Sequence, residues 1–217
     1  MKGQITKLRS FDGADQATRL TPVTHRMREV TYQLAENGTW DSQLIKEVRE
    51  LFDSLAEEWT VTRDHPQRNL PLLDALERGK VNGEIALELG AGTCISARVL
   101  IPKFQNYFAI DLSFEMLRNV VETAPPLVCA DGSSLPLSNG VLDVLILQNM
   151  FLFPHEVSRC ISENGCLVWV NSRGSGTPIH LPVEKVVQSL ETATGYAWNA
   201  VCSTMGEATW AVIRREQ

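Results

Sequence analysis

From residue 83 to residue 171, short apolar runs alternate regularly with amphipathic segments. The apolar runs are predicted strands, at 84–90, 106–112, 126–131, 141–148 and 165–171. The intervening segments are predicted helices, at 93–104, 113–123 and 154–162. The last two strands are apolar at nearly every position, which is typical of strands buried on both faces of a parallel sheet. The alternation predicts an α/β fold, a doubly wound and mostly parallel sheet with right-handed crossovers.

The C-terminal part departs from this alternation. A predicted helix at 183–191 is followed by two apolar runs, at 196–202 and 208–214, joined by a short turn that contains Gly206. A connection this short requires antiparallel pairing, so one of these strands must run against the rest of the sheet. Together with the five strands above, the runs predict a seven-stranded sheet with an antiparallel C-terminal strand pair.

Residues before 80 have helical periodicity instead. The predicted helices lie at 24–36, at 41–59 with Asp41 as N-cap, and at 70–79 with Gly79 as the C-terminal stop. The first 20 or so residues are polar and aperiodic, and we expect them to be poorly ordered. The chain is therefore divided into an N-terminal helical extension or lid, residues 1–80, and a core domain, residues 81–217.

Composition excludes several classes of protein. The net charge is −6, and the basic residues are scattered rather than gathered on one face, which argues against a nucleic-acid substrate. No apolar stretch is long enough to span a membrane, and the N-terminus lacks the apolar middle of a signal peptide, so we expect a cytoplasmic protein. The five cysteines are well separated and form no C-x-x-C pair, so no structural metal is expected.

A glycine-rich turn follows the first predicted strand of the core. The strand ends at Glu88, the turn contains Gly90 and Gly92, and a helix begins near Thr93. Glycines allow a ligand to approach the backbone and the helix N-terminus closely. About 20 residues later, Asp111 ends the second strand, where a carboxylate can accept both hydroxyls of a ribose. The pattern predicts a site for an adenosine-containing ligand.

Two ligands fit this arrangement, a dinucleotide and the sulfonium compound S-adenosylmethionine (SAM). The dinucleotide fingerprint has a third glycine at the position that Ile95 occupies here. The negative charge of Glu88 would repel a diphosphate and attract a cationic amino acid. Both observations favour SAM.

The segment from Glu88 to Thr93 resembles the E-x-G-x-G-x-G motif of class I SAM-dependent methyltransferases, with Cys94 in place of the last glycine. The "methyltransferase domain 11" type of small-molecule enzyme is the nearest resemblance, over about residues 83–215. In that family the turn and Asp111 bind the donor, Asp131 contacts the adenine, and Leu112 and Met116 flank it. The resemblance implies a set of cofactor-binding residues: Glu88, Gly90, Ala91, Gly92, Thr93, Asp111, Leu112, Met116, Asp131, Gly132, Gln148 and Asn149.

Two further segments continue the resemblance. Residues 135–144 are similar to the family's LPF-x-D-x-x-FD-x-V run, and Asn164-Gly165 replaces a Pro-Gly-Gly turn before the fifth strand. Residues 48–59, which contain Phe52 and Trp59, resemble the stretch that forms a lid over the cofactor in small-molecule methyltransferases. Helical periodicity alone would place Phe52 and Trp59 in the core, and the sequence leaves lid and plain packing open.

Two histidines are candidates for a general base, because their intrinsic pKa suits proton transfer near neutral pH. His65 follows the second predicted helix, and His180 follows the fifth predicted strand. Both loops are expected at the C-terminal edge of the sheet, where α/β proteins hold ligands. His25 and His155 are expected at the surface.

The sequence as a whole predicts a SAM-dependent methyltransferase that acts on a small molecule and releases S-adenosylhomocysteine (SAH). O-, N- and C-methylation are all compatible with it. A catalytically inactive SAM-binding protein and, less favoured, an NAD(P)-dependent oxidoreductase are the alternatives. Exposed apolar residues on the N-terminal helices could form a homodimer face.

Overall fold

The computed structural model describes residues 2–11, 25–120 and 124–216. Its centre is an eight-stranded sheet with the order β1-β7-β8-β6-β5-β2-β3-β4. The strands are β1 (Ile5–Lys7), β2 (Ile85–Leu89), β3 (Asn106–Asp111), β4 (Leu127–Cys129), β5 (Leu142–Gln148), β6 (Ile161–Asn171), β7 (Trp198–Met205) and β8 (Ala208–Arg215). Only β8 among them runs antiparallel to its neighbours, which confirms the mostly parallel sheet with an antiparallel C-terminal pair.

Seven α-helices accompany the sheet in the described part of the chain. They are α1 (Arg26–Ala35), α2 (Ser42–Arg63), α3 (Leu70–Arg78), α4 (Ala97–Leu100), α5 (Phe114–Arg118), α6 (Pro154–Cys160) and α7 (Val183–Thr194). Asp41 caps α2 as predicted, because its side chain accepts hydrogen bonds from the backbone N–H groups of Gln43 and Leu44. None of the described helices combines the length and apolarity that a membrane crossing requires.

All seven predicted strands are present, and the eighth, β1, was not predicted. It pairs in parallel with β7, with Ile5 beside Ala200, and the backbone N–H of Gln4 donates to Asn199 Oδ1 at 2.7 Å. The expectation of poor order is therefore wrong for residues 5–7. Of that stretch, residues 12–20 lie outside the described residues.

The core lies on both faces of the sheet. On β5, Leu145 and Leu147 belong to one apolar cluster, whereas Val144 and Ile146 belong to the cluster on the opposite face. All four side chains are fully buried. The prediction that this strand is covered on both sides is confirmed, and α-helices provide the cover.

Some predicted boundaries differ from the structure. The segment 93–104 contains only one regular α-helical turn, α4, flanked by other turns, and α5 ends at Arg118. Asn164-Gly165 lies within β6 rather than before it. There the pairing register between β5 and β6 shifts between Leu142 and Val144, so a strand irregularity replaces the expected turn.

Candidate functional site

A cavity of about 530 Å³ opens at the carboxyl ends of β2, β3 and β5. Its floor is the glycine turn after β2, and α2 lies across it. The loops that follow β5 and β6 form a further wall, together with the start of α1. The carboxyl edge of a parallel sheet is where α/β proteins bind ligands.

The glycine turn has a backbone conformation that residues with a side chain rarely adopt. Gly90 and Gly92 have φ angles of 73° and 57°, in the left-handed region that glycine adopts at little cost. A Cβ at Gly90 would lie 2.5 Å from Met150 Sδ. Cys94, which stands where the family motif has its last glycine, also has a positive φ, 56°. Cys94 therefore adopts the left-handed conformation of the motif, although the glycine itself is absent.

Asp111 fastens this turn to the end of β3. Its buried carboxylate accepts hydrogen bonds from the backbone N–H of Gly92 at 2.7 Å and of Ser113 at 2.8 Å. Burial raises the pKa of Asp111, and these backbone hydrogen bonds oppose the rise. The carboxylate lines the cavity, so a ligand that donates hydrogen bonds to it would compensate its loss of hydration.

Glu88 is a buried carboxylate beside the turn. Tyr107 donates a hydrogen bond to Glu88 Oε2 at 2.7 Å. Burial raises the pKa of Glu88 to about 7, although the Tyr107 hydrogen bond and the charge of Arg68 act in the opposite direction. Near neutral pH the group is poised between its two protonation states, and a cation bound beside it would favour the ionised one.

Two residues that line the cavity each contain a buried nitrogen atom without a hydrogen-bond partner among the described residues. Gln148 Oε1 accepts a hydrogen bond from Ser96 Oγ at 3.2 Å, which leaves Gln148 Nε2 free. Arg68 Nε is also buried without a partner. Buried donors normally find acceptors, and both residues line the cavity. They offer positive or donor groups to a ligand that brings oxygen atoms.

The side chain of Asn149 holds two loops together. Asn149 Nδ2 donates to Ser172 Oγ at 2.9 Å, and the backbone N–H of Ser172 donates to Asn149 Oδ1 at 2.9 Å. These bonds join the ends of β5 and β6 at the cavity wall. Asn149 itself has a φ of 55°, a conformation that asparagine adopts more readily than most residues.

Helix α2 covers the turn with aromatic side chains. Phe52 and Trp59 line the cavity, and their ring centroids are 5.8 Å apart with an edge-on geometry. A Cβ at Gly92 would lie 3.3 Å from Trp59 Nε1, so the indole lies directly over the turn. Neither side chain is in the buried set of α2, which consists of Leu44, Val48 and Ala56.

Polar contacts connect α2 to the core on both sides of the cavity. The hydroxyls of Thr60 and Thr93 share a hydrogen bond of 2.8 Å, and Ser113 Oγ donates to Asp53 at 2.5 Å. Thr93 is fully buried and faces α2 instead of the cavity. These contacts fix the helix above the turn.

The acid expected near the adenine, Asp131, lies beside the cavity. Trp40 Nε1 donates to both of its carboxylate oxygens, at 2.9 and 3.1 Å. Ala130 and Gly132, on either side of Asp131, line the cavity, as do Leu112 and Met116. The predicted adenine-side residues are therefore gathered at one end of the cavity.

The two candidate bases are separated. His65 is exposed and lines the cavity. His180 lines a second cavity formed with β1, β6, β7 and β8, and burial together with the charge of Arg28 lowers its pKa to about 4. The expectation that His180 joins the site is wrong, because its loop turns this side chain towards the edge of the sheet that β1 occupies.

Several cavity residues were not predicted. Arg63, Arg68 and Arg173 line it, as does His25, which was expected only at the surface. His25 also caps α1, since its Nδ1 accepts from the backbone N–H of Met27. Arg173 comes two residues after the end of β6, so its position at the carboxyl edge of the sheet could have been inferred from the sequence. The apolar wall was also missed: Met27, Trp40, Met150, Phe151, Phe153 and Ile179.

Comparisons with known proteins match the part of the chain that contains the glycine turn. Residues 87–164, from β2 to β6, match the family model of a methyltransferase domain. No curated protein matches the whole sequence significantly.

Solved structures show the same fold at low sequence identity. The complex of DhpI with SAH superposes with a TM-score of 0.61 at 16% identity, covering 81% of this chain and 98% of that one. A SAM-dependent methyltransferase from Aquifex aeolicus has a TM-score of 0.56 at 16% identity, covering 82% of this chain and 99% of that one. The match of residues 87–164 to a methyltransferase domain and the fold shared with solved SAM-dependent methyltransferases both agree with the resemblance seen in the sequence.

Proposed function

We propose that this protein transfers a methyl group from SAM to a small-molecule acceptor. SAM supplies an already activated methyl group on its sulfonium, so the chain has to bind, align and shield the reactants. The observation that carries the proposal is a single cavity that joins the glycine turn, Glu88 and Asp111 to the loops after β5 and β6. Donor-binding and acceptor-binding surfaces are thereby continuous.

The residues at the glycine turn fit the donor. Ionised Glu88 suits the ammonium of the methionine part, and Asp111 suits the ribose hydroxyls. The free donor Gln148 Nε2 and the unpaired guanidinium nitrogen of Arg68 suit the carboxylate of the methionine part. Gly90 and Gly92 leave the backbone accessible, because any side chain there would fill the space against Met150 or Trp59.

The acceptor end of the cavity favours a small molecule. Met27, Phe151 and Ile179 are almost completely buried and give it an apolar wall. We propose that α2, with Phe52 and Trp59, acts as the lid that excludes water. A boundary near residue 80 between this lid region and the core stays part of the proposal. A covered cavity of this size is difficult to reconcile with a folded macromolecular acceptor.

His65 is the histidine that we propose as a general base where the acceptor needs deprotonation. Replacement His65→Gln should lower kcat without changing the affinity for SAH. Equal kcat values for His65→Gln and wild type at all pH values would exclude this role.

The proposed reaction is tested with isotopically labelled donor. Incubation of the protein with methyl-labelled SAM and a small-molecule extract should place label in low-molecular-weight products. Asp111→Ala should abolish the transfer, whereas Glu163→Gln, an exposed residue at the opposite end of β6, should not. Label that appears only in protein or nucleic acid when those are supplied would contradict the small-molecule assignment.

A further inference from the structure

Three guanidinium groups line the cavity, those of Arg63, Arg68 and Arg173, and none forms a salt bridge within the part of the chain that the structure describes. Arg63 donates to the hydroxyl of Thr62 at 2.6 Å, and Arg173 donates to the carbonyl of Gly176 at 2.7 Å. Both partners are neutral. Arg63 and Arg173 therefore have no ionised partner among the described residues, whereas the charges of Glu88 and Asp64 act on Arg68.

The charge balance of the cavity is positive in an acidic protein. The chain carries a net charge of −6, yet the acidic groups among the cavity-lining residues are only Glu88 and Asp111, both at the donor end. The proposed donor does not restore neutrality, because its sulfonium and ammonium outnumber its carboxylate. The cavity therefore keeps an excess of positive charge beside the donor, which would attract an anion.

Arg63 and Arg173 come from different elements that line the cavity. Arg63 ends α2 and stacks on Trp59, with its guanidinium carbon 3.8 Å from the ring centroid, and Arg173 follows β6. The two charges are close enough to repel each other, and burial and this repulsion both lower the pKa of Arg63. Two neighbouring guanidinium groups can together hold a carboxylate or phosphate through charge-assisted hydrogen bonds.

The wall next to this pair is apolar. Ile179 and Phe151 are buried beside the loop that carries Arg173, and Met27 of α1 completes the surface. We propose that the acceptor is an amphipathic organic acid, whose carboxylate or phosphate is held by Arg63 and Arg173 and whose apolar body lies against Met27, Phe151 and Ile179. The proposal rests on the proposed function and specifies its substrate class. Arg68, beside Glu88, is assigned to the binding of the donor.

The first experiment compares charged and neutral ligands of the same shape. Protein saturated with SAH is titrated calorimetrically with a panel of aryl and alkyl carboxylic acids and with the corresponding carboxamides. A second arm compares phosphate monoesters with their parent alcohols. Acids of one class should bind at least about tenfold more tightly than their neutral partners, as expected for a charge-assisted pair. The arm with the stronger binding identifies the anionic group.

The second experiment assigns the anion to the arginines. Arg63→Gln and Arg173→Gln should each remove about tenfold or more of the acid affinity and leave SAH affinity unchanged. Arg118→Gln is the control, since Arg118 is an exposed arginine paired with Glu115.

Three results would contradict these assignments. If no acid binds better than its neutral partner, or if Arg118→Gln has the same effect as the cavity variants, the acceptor class is wrong. If Arg63→Gln and Arg173→Gln lose SAH affinity, these arginines hold the donor and the inference also fails. Absence of SAH binding by the wild-type protein would instead contradict the proposed function, and the inference with it.

Discussion

At the scale of single residues, the site depends on carboxylates whose burial is unfavourable without a ligand. Glu88 is almost completely buried and its pKa is raised to about 7. A raised carboxylate pKa means that the folded protein holds a proton that the unfolded chain releases at lower pH. The group therefore lowers the stability of the ligand-free fold as pH rises from its ordinary pKa of 4.5 towards 7, by about 3 kcal/mol at most.

This protonation equilibrium predicts a pH-dependent affinity. SAH affinity should rise as the pH increases through about 7, because only ionised Glu88 attracts the ammonium. Glu88→Gln should bind SAH weakly, with little change across the same range. Calorimetric titrations about one pH unit on either side of that value measure both effects. Identical pH profiles for wild type and Glu88→Gln would refute the pairing.

The glycine turn allows strain to be separated from ligand contact. Gly92 and Gly195 both have positive φ angles, 57° and 73°, but a Cβ at Gly195 meets nothing within 4 Å, whereas one at Gly92 lies 3.3 Å from Trp59. Both alanine substitutions should therefore lower the free energy of unfolding by about 1–2 kcal/mol. Only Gly92→Ala should also weaken SAH binding. Urea unfolding and calorimetry provide the two measurements, and equal SAH affinities would contradict a ligand site at this turn.

At the scale of elements, the strands were predictable because their apolar runs reflect burial on two faces. β1 was missed since a three-residue edge strand has too little pattern to distinguish it from a polar tail. Periodicity could not decide whether Phe52 and Trp59 form a lid or pack in the core. Both follow the apolar repeat of α2 and yet face a cavity. Packing against another element, and not the repeat itself, determines which positions of a helix are in the core.

The hydrogen bond between α2 and the turn predicts how the lid is held. Thr60→Val removes the partner of the buried Thr93 hydroxyl, which should cost about 1 kcal/mol and increase the dissociation rate of SAH. Ser54→Ala is the control on the same helix, because this exposed hydroxyl bonds only to the carbonyl of Leu51. Stopped-flow displacement measures the rates. The same dissociation rate in all three proteins would exclude α2 as a lid.

Strand β1 predicts a separation of stability from binding. Deletion of residues 1–11 should lower Tm, because it removes the pairing with β7 and exposes that strand edge. SAH affinity should remain, since β1 is at the opposite edge of the sheet from the pair β3 and β4. Thermal unfolding and calorimetry test this prediction. An unchanged Tm would show that β1 does not add to the sheet in solution.

At the scale of the whole molecule, the cavity is assembled from segments far apart in the sequence. The turn, Glu88 and Asp111 were predictable since local spacing between strand and helix encodes them. The arginine pair was not, because Arg63 at the C-terminal end of α2 resembles a solvated cation in the sequence, and only the fold brings Arg173 towards it. His180 was misplaced for the same reason, as a loop position does not specify which way a side chain points.

The central claim is that this cavity binds an adenosyl donor through Glu88, the glycine turn and Asp111. Calorimetric titration of the purified protein with SAH, beside an identical titration with NADH, tests it most directly. Wild type and Glu163→Gln should bind SAH alike and give no heat with NADH. Asp111→Ala should lose at least about tenfold in affinity, with Asp111→Asn as a second variant that keeps the side-chain size. No heat from folded wild-type protein with SAH, or full affinity in both Asp111 variants, would contradict the claim.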